Sequence, residues 1–158
     1  MALDNIIGKV VTLTGNDTVG YGSEGNPVLG VVTKIKKAGD TDTYPLGFEG
    51  IRQSATFKLD SSTLSTLDST ATDSYVVTVE FGRMFEDIPI TATAEKQPAV
   101  GNSVTVDGAG ALVKYTATID TTTGDAYADL EVSTPIQALT AYVTSVDTSN
   151  NVSTLRVL

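Results

Sequence analysis

The stretch YVVTVEF, Tyr75 to Phe81, decides the fold class because its side chains alternate in character. One set consists of Tyr75, Val77, Val79 and Phe81, and the other of Val76, Thr78 and Glu80. A β-strand repeats every two residues and sends neighbouring side chains to opposite faces, whereas a helix repeats every 3.6 residues. The stretch therefore predicts a half-buried strand with Glu80 on the solvent side.

Similar alternation recurs on both sides of this stretch. It is found in Val28–Lys36, Ala55–Leu59, Val113–Ile119 and Ala126–Val132. Shorter apolar segments that also suit strands are IIGKVVTLT (6–14), IPITATA (88–94), SVTV (103–106), AYVTSV (141–146) and VSTLRV (152–157). Turn-forming residues separate several of them, as in DTTTGD (120–125) and DTSNN (147–151).

These patterns predict an all-β fold. Roughly one residue in six is threonine and valine is also abundant, and both are β-branched residues that favour sheets. We predict a single domain over residues 1–158, a sandwich or barrel of about ten short, mostly antiparallel strands. At most one or two short helical turns are expected, one around Leu64 and Leu67 and one beginning at Pro135.

The segment VGNSVTVDGAG, Val100 to Gly110, predicts a strand, a tight turn and the start of a second strand. Val104 and Val106 are expected on one face, and Asp107 with Gly108 is expected to supply the positive φ of a hairpin turn. No side chain in the segment donates a proton at neutral pH. We interpret it as a structural brace.

Composition argues against an enzyme. The chain has no cysteine and no histidine, so thiolate and imidazole ligands and the usual neutral proton shuttle are missing. We therefore predict no catalytic residues, no metal site and no cofactor. A serine–lysine mechanism is the remaining alternative among hydrolases.

The charge balance limits the partners. Ten basic residues against nineteen acidic ones give a net charge of −9, and the basic residues are scattered apart from Lys34, Lys36 and Lys37. Such a chain repels phosphate backbones, so nucleic acid and anionic membrane are not expected as partners. The N-terminus lacks the pattern of a signal peptide, which predicts synthesis in the cytoplasm.

The segment GYGSEG, Gly20 to Gly25, matches the G-x-G-x-x-G dinucleotide fingerprint letter for letter. That motif presents a pyrophosphate to a helix N-terminus, yet here a proline and a predicted strand follow. We favour a surface loop. Ser23 does not complete a G-x-S-x-G nucleophile elbow, because Tyr21 occupies the first glycine position.

Three sets of acidic residues are candidates for a calcium site or for the paired carboxyl groups of a glycosidase. They are Asp40 with Asp42, Asp120 with Asp125, and the cluster Glu80, Glu86 and Asp87. None of them has the D-x-[DN]-x-[DN]-G pattern, and solvated strand ends explain them more simply. The acceptor sequons at Asn16 and Asn151 matter only in a secreted eukaryotic protein.

Aromatic side chains at Tyr21, Tyr44 and Phe48 fall in predicted loops, where a sugar-stacking platform would lie. Core edges or oligomer contacts are the alternative explanation. A carbohydrate-binding or receptor-binding module therefore stands as a second functional hypothesis.

Two segments of the chain have a recurring strand-and-turn character, namely GNPVLGVVTKI (25–35) and VGNSVTVDGAGALVK (100–114). The chain is also acidic, lacks cysteine and ends in a predicted hairpin. With these features it resembles the head decoration (capsid cement) proteins of tailed bacteriophages. The resemblance covers about a third of the chain, Pro27–Lys36 and Val100–Lys114. Phe81–Ile90 and the Ser/Thr-rich stretch before it match nothing in the family pattern. No family residue is carried over as a functional one.

The resemblance implies a structural virion protein on the capsid exterior. It would bind the major capsid protein in many copies, as a homo-oligomer that we expect to be a trimer, and bridge neighbouring subunits. Residues 1–7 are expected either to form an arm that adds to a neighbour's sheet or to extend the chain's own first strand. A phage tail-tube or baseplate subunit is the further alternative.

Overall fold

A computed structural model of the chain describes residues 2–22, 26–39, 53–115 and 140–158. These residues form ten β-strands, one α-helix and two 3-10 helices. The strands are β1 (Val10–Gly15), β2 (Thr18–Gly20), β3 (Gly30–Lys37), β4 (Ser54–Leu59), β5 (Tyr75–Glu80), β6 (Met84–Pro89), β7 (Val104–Val106), β8 (Leu112–Lys114), β9 (Ala141–Asp147) and β10 (Val152–Val157). The helix α1 spans Ser61–Leu67, and the 3-10 helices span Ala2–Ile6 and Ala94–Lys96.

The predicted all-β fold of short, mostly antiparallel strands is confirmed. The first five strands close into a barrel in the order β1-β2-β4-β5-β3, and only the β2–β4 pairing is parallel among the paired strands described. The alternating stretch at Tyr75–Phe81 contributes β5, which lies between β3 and β4. Its inward side chains Val77 and Val79 are fully buried, as the alternation predicted.

The remaining strands form a three-stranded sheet, β6-β10-β9, and a two-stranded hairpin, β7-β8. Isolated bridges link the two, since Ser103 pairs with Tyr142 and Ile90 pairs with Leu112. A third bridge, Pro27 to Thr105, joins the segment before β3 to the hairpin. Buried apolar side chains from the barrel and from both smaller sheets form one hydrophobic cluster.

Helix α1 confirms the helical turn predicted around Leu64 and Leu67. Asp60 is its N-cap, and the Asp60 side chain accepts a hydrogen bond from the backbone N–H of Ser62. Leu64 is buried and Leu67 packs against the core cluster. One apolar face therefore anchors a short helix whose other side chains are small and polar.

The N-terminal segment forms a short helix in the isolated chain, and the expectation that residues 1–7 act as an arm on a neighbour stays a prediction. Ala2–Ile6 is a 3-10 helix whose Leu3 and Ile6 side chains are buried in the core cluster. Gly8, at φ 86°, then turns the chain, and its N–H donates to the carbonyl of Val32 in β3. The segment therefore does not extend the first strand, which begins at Val10, and its helical turn places Leu3 and Ile6 together on the core side.

The brace segment forms the expected hairpin with a different turn. The positive φ lies at Gly110, at 82°, and not at the Asp107–Gly108 pair. The Asp107 carboxylate accepts hydrogen bonds from the N–H groups of Ala109 and Ala111, and this side chain organises a longer loop than a two-residue turn. The turn signal was correctly located, but its glycine was assigned wrongly.

The terminal hairpin and strand β6 compare differently with their predictions. The terminal hairpin of β9 and β10 is confirmed, with Asn151 at φ 53° in its turn. Strand β6 begins at Met84, earlier than the predicted segment IPITATA, and Ile90 keeps only an isolated bridge. The predicted strand Ala126–Val132, the loop 120–125, the helix start at Pro135 and the part of Val113–Ile119 beyond Tyr115 lie outside the described residues.

Candidate functional site

The glycine motif does not lead into a helix among the described residues. Gly20 ends β2 and Gly22 has φ 64°, while Ser23, Glu24 and Gly25 lie outside the described residues. The chain then pairs Pro27 with Thr105 and enters β3 at Gly30. The next described elements are thus a bridge and a strand, and not the helix N-terminus that the fingerprint uses to bind a pyrophosphate.

The acidic cluster of Glu80, Glu86 and Asp87 does not form a common site. Glu80 is buried, whereas Glu86 and Asp87 are exposed on β6. Among residues 2–22, 26–39, 53–115 and 140–158, no group of three or more aspartate or glutamate residues is placed to hold a metal ion. Of the other candidates, Asp40, Asp42, Asp120 and Asp125 lie outside the described residues.

Tyr21 cannot serve as an exposed stacking platform in this structure. Its side chain is only 6 % exposed, and the ring lies directly against Gly110, where a Cβ would collide with it. Burial, followed by the charge of Asp107, raises the pKa of the Tyr21 hydroxyl above its ordinary value. The explanation by packing therefore applies to Tyr21, while Tyr44 and Phe48 lie outside the described residues.

Two adjoining cavities of about 450 and 460 Å³ lie beside the capped start of α1. Both are lined by Thr14 and Asp60, and we call them together the Asp60 groove. The walls of the groove are rich in hydroxyls, contributed by Thr14, Thr18, Tyr21, Ser61, Ser62, Thr63, Thr66, Ser74 and Tyr75. Such a lining suits hydrogen bonding to a polar group.

Asp60 is already engaged within the groove. Its Oδ1 atom accepts hydrogen bonds from the Ser62 backbone N–H at 2.8 Å and the Ser62 hydroxyl at 2.9 Å. Burial opposes ionisation, but the hydrogen bonds from Ser62, Thr14 and Thr63 outweigh it, so the pKa of Asp60 lies below its ordinary value. The carboxylate stays ionised at neutral pH and is a poor proton donor.

Replacing Asp60 with alanine is expected to lower the free energy of unfolding at pH 7 by about 1 kcal/mol, the usual value of an N-cap. Because the folded-state pKa of Asp60 is lowered, its contribution is present above the unfolded-state pKa and is lost as pH falls through the folded-state pKa. Urea titrations at pH 7 and pH 2 check this. A difference between wild type and variant that is as large at pH 2 as at pH 7 would contradict the capping role.

Glu80, which the alternation placed on the solvent side, is buried. Its side chain is 3 % exposed, and Oε1 lies 3.4 Å from Arg83 Nε. The Arg83 guanidinium stacks over the Phe85 ring at 4.1 Å and donates to the Met84 carbonyl. Gly82, at φ 75°, makes the turn that brings Arg83 back over Glu80.

Replacing Arg83 with alanine is expected to lower the free energy of unfolding by about 1–2 kcal/mol, because the buried Glu80 side chain loses its cationic partner. The loss is expected to stay this small because the Arg83 guanidinium is half-exposed and solvent screens its charge. Replacing Glu80 with glutamine first should make the same Arg83→Ala change less harmful. A double-mutant cycle from chemical denaturation measures this coupling. Equal losses in both backgrounds would show that the pair does not contribute.

The outward face of β3, β5 and β4 carries a cluster of lysines that strand pairing brings together. Lys36 and Lys58 both lie opposite Val76 of β5, so they stand in one row across the three strands. The next row consists of Lys34, Thr78 and Thr56. We call the face made by Lys34, Lys36, Lys58, Thr56, Val76 and Thr78 the lysine face.

Sequence reasoning found part of this face and missed the rest. Lys34 and Lys36 stood out because they are close in the chain, but Lys58 lies on another strand and no local pattern links it to them. Lys37, the third member of the sequence cluster, lies at the end of β3 and forms an ion pair with Asp73 at 3.3 Å. Lys58 comes to lie beside Lys34 and Lys36 because β3 and β4 both pair with β5.

The described residues form a small β-barrel with a hydroxyl-lined groove and an outer face that carries three lysines. No protein-family model, curated protein or solved structure matches the chain. Within the part of the chain that the structure describes, no helix is both long and apolar enough to cross a bilayer.

Proposed function

We propose that this protein is a non-enzymatic structural virion component that binds the outer surface of a phage capsid and bridges its subunits. The proposal extends the sequence resemblance, whose two segments are Pro27–Lys36 and Val100–Lys114. One structural observation supports it most directly. The Pro27–Thr105 bridge joins these two segments, which lie far apart in the chain, and buried side chains of both belong to one core cluster.

The barrel suits a bridging role mechanically. Its five strands each pair with two neighbours in a closed order, which leaves less open strand edge than a flat sheet of the same strands. Its Thr- and Val-rich strands make it stiff through packing rather than through disulfides.

Binding to the capsid would be tighter when each copy contacts more than one capsid subunit. An interface of roughly 1,600 Å² is typical of stable, specific contacts, and contacts to two capsid subunits make the second binding event effectively intramolecular. Assembly as a trimer would multiply this effect on a symmetric shell. Excess negative charge on the outside of the coat would keep densely decorated particles soluble.

The direct test mixes the purified protein with undecorated capsids assembled from the major capsid protein of the same phage. We expect co-sedimentation with a fixed number of copies per capsid, ordered density on the outer surface by electron microscopy, and capsids that rupture at higher temperature. Absence of the protein from sedimented capsids would refute the proposal.

The same preparations separate the alternatives. Rings or tubes formed by the protein alone would indicate a tail-tube or baseplate subunit, because a decoration protein should stay a small oligomer until it meets a capsid. Specific retention on a glycan array would indicate a carbohydrate-binding module. The burial of Tyr21 removes one of the aromatic side chains on which that module was based.

A further inference from the structure

We propose that the open side of β4 along Ser54–Phe57 binds an extended segment of the partner protein, which adds to the barrel as a further strand. We call these four residues the β4 edge. The inference deepens the proposed function and rests on it only for the partner's identity as a capsid protein. Its own basis is the strand pairing of β4, which covers one side of the β4 edge and leaves the other side open among the described residues.

The hairpin of β1 and β2 is too short to cover β4 along its whole length. β2 pairs with β4 only at Lys58 and Leu59, the last two residues of β4. The hairpin turns at Asn16 and Asp17, and the Asp17 carbonyl accepts a hydrogen bond from the Lys58 N–H. In the part of the chain that the structure describes, no strand pairs with the β4 edge on this side.

The backbone of the β4 edge presents hydrogen-bonding groups to this open side. The Phe81 N–H donates to the carbonyl of Gln53, the residue just before β4, and this bond sets the alternation of the antiparallel pairing with β5. The N–H and C=O groups of Ser54 and Thr56 therefore face away from β5. An extended chain on the open side would meet two donors and two acceptors along the strand, as in β-augmentation.

Other strand edges are made unsuitable for pairing by irregular backbone or by charge. β1 and β3 both have register shifts, and β3 carries Lys34, Lys36 and Lys37 toward its end. β6 has Asp87 at φ 58° and ends at Pro89, which lacks an N–H group. Bulges, charged side chains and prolines are the features by which proteins keep strand edges from pairing with other chains.

Neighbouring segments cover the outer edges of the smaller sheets. Ser103 pairs with Tyr142 at β9, and Pro27 pairs with Thr105 at β7. The β4 edge differs from these edges and from the irregular ones. Its pairing with β5 runs without a register shift, and its four residues include neither a charged side chain nor a proline. A regular, uncharged edge is the kind to which another strand can add.

The side chains of the β4 edge define the kind of segment that fits. Ala55 and Phe57 lie on the inner side, where Phe57 packs against the core cluster beside Val77 and is still half-buried. Thr56 is exposed on the outer side. Side chains alternate along a strand, so an added strand would place apolar side chains beside Phe57 and polar ones beside Thr56. The partner segment is therefore extended, with an apolar side chain at every second residue.

The size of the β4 edge favours a different protein over a second copy of this chain. Pairing the edge with itself uses four residues of each copy, whereas stable interfaces use roughly 20–30 residues a side. A capsid subunit that also contacts the surrounding surface includes the added strand in a larger interface. Main-chain hydrogen bonds then contribute affinity, and the alternate side chains contribute specificity.

Amide hydrogen exchange of the free protein gives the first test because it needs no partner. We expect fast exchange for the N–H groups of Ser54 and Thr56, and slow exchange for those of Ala55 and Phe57, which face β5. Equal protection of all four would mean that the open side is already occupied and would overturn the inference. A dimer by light scattering that Thr56→Pro converts to a monomer would assign the edge to a second copy, with the same consequence.

Proline variants remove donors from the open side only. Thr56→Pro deletes an N–H that does not bond to β5, and Thr56→Val is the matched control that keeps this N–H and the β-branched shape. Ser54→Pro deletes the other donor at the first residue of β4, a position where strands tolerate proline. Circular dichroism and thermal melting establish which variants are folded.

Undecorated capsids are the first binding probe. We expect Thr56→Val to bind like the wild type and the folded proline variants to bind about tenfold more weakly, because a carbonyl or N–H of the partner strand loses its hydrogen bond. Capsid binding should also slow the exchange of the Ser54 and Thr56 N–H groups in the wild type. Where neither proline variant folds, this protection decides: slowed exchange supports the inference, and unchanged exchange refutes it.

The outcomes separate the inference from the proposed function. Full-strength capsid binding by the folded proline variants overturns the role of the β4 edge and leaves capsid decoration standing. No capsid binding by the wild type refutes decoration, and an immobilised peptide of alternating valine and threonine then decides. Wild type and Thr56→Val that bind this peptide but not its backbone N-methylated form support the β4 edge, and absence of peptide binding rejects it.

Discussion

Replacing Gly30 with alanine is expected to destabilise the protein by about 3 kcal/mol, near the upper end for overpacking a rigid interior. Gly30 begins β3, and a Cβ placed there would overlap the backbone carbonyl of Glu80 and lie 2.7 Å from Val79 Cγ1. A side chain can rotate away from a new methyl group, but a hydrogen-bonded strand backbone cannot. Relief therefore requires β3 and β5 to separate, which opens the barrel.

Thermal and urea denaturation check this expectation against Gly108→Ala. Gly108 has no positive φ and open space around its Cβ position, so the same added methyl group meets nothing there. We expect the Gly30 variant to melt about 10 °C below wild type and the Gly108 variant to melt within about 2 °C of it. Equal melting temperatures for both variants would mean that β3 and β5 are not in close contact at Gly30.

Truncating Ile6 to alanine is expected to cost about 3–4 kcal/mol, the usual range for a large aliphatic side chain removed from a packed core. Ile6 is completely buried at the end of the N-terminal 3-10 helix, within the core cluster that includes Val32 and Leu64. Its neighbour Ile7 is 47 % exposed and provides a matched control. The Ile7→Ala variant should stay within about 0.5 kcal/mol of wild type.

This pair of variants also tests the role of the N-terminus. If residues 1–7 acted as a detachable arm, truncating Ile6 would weaken capsid binding and leave the melting temperature unchanged. If the 3-10 helix belongs to the core, the Ile6 change lowers the melting temperature, and deletion of the segment compromises the fold itself. Denaturation in the absence of any partner separates these two outcomes.

Local sequence signals predicted the elements that depend on neighbouring residues. Alternation identified β4 and β5, the turn residues after Asp147 identified the terminal hairpin, and the polar stretch after Leu59 contained the predicted helical turn. In each case the responsible interactions lie within a few residues along the chain. Periodicity and turn chemistry express these interactions directly.

Local sequence patterns predicted the exposure of a side chain wrongly where a segment distant in the chain packs against it. Glu80 was expected on the solvent side by alternation within β5, yet it is buried beside Arg83 after the turn at Gly82. Tyr21 was expected in an exposed loop, yet Gly110, far along the chain, covers its ring. Nothing in the local pattern of either residue reports the partner that covers it.

The amino-acid sequence by itself determined that this chain forms short strands, where most of them begin and end, and that thiol and imidazole chemistry is absent. Only the tertiary structure decided that five strands close into a barrel, that the N-terminus is part of the core, and that Lys58 joins Lys34 and Lys36. The reason is physical: strand formation follows from local backbone and side-chain preferences, whereas strand pairing depends on burial shared between segments far apart in the chain.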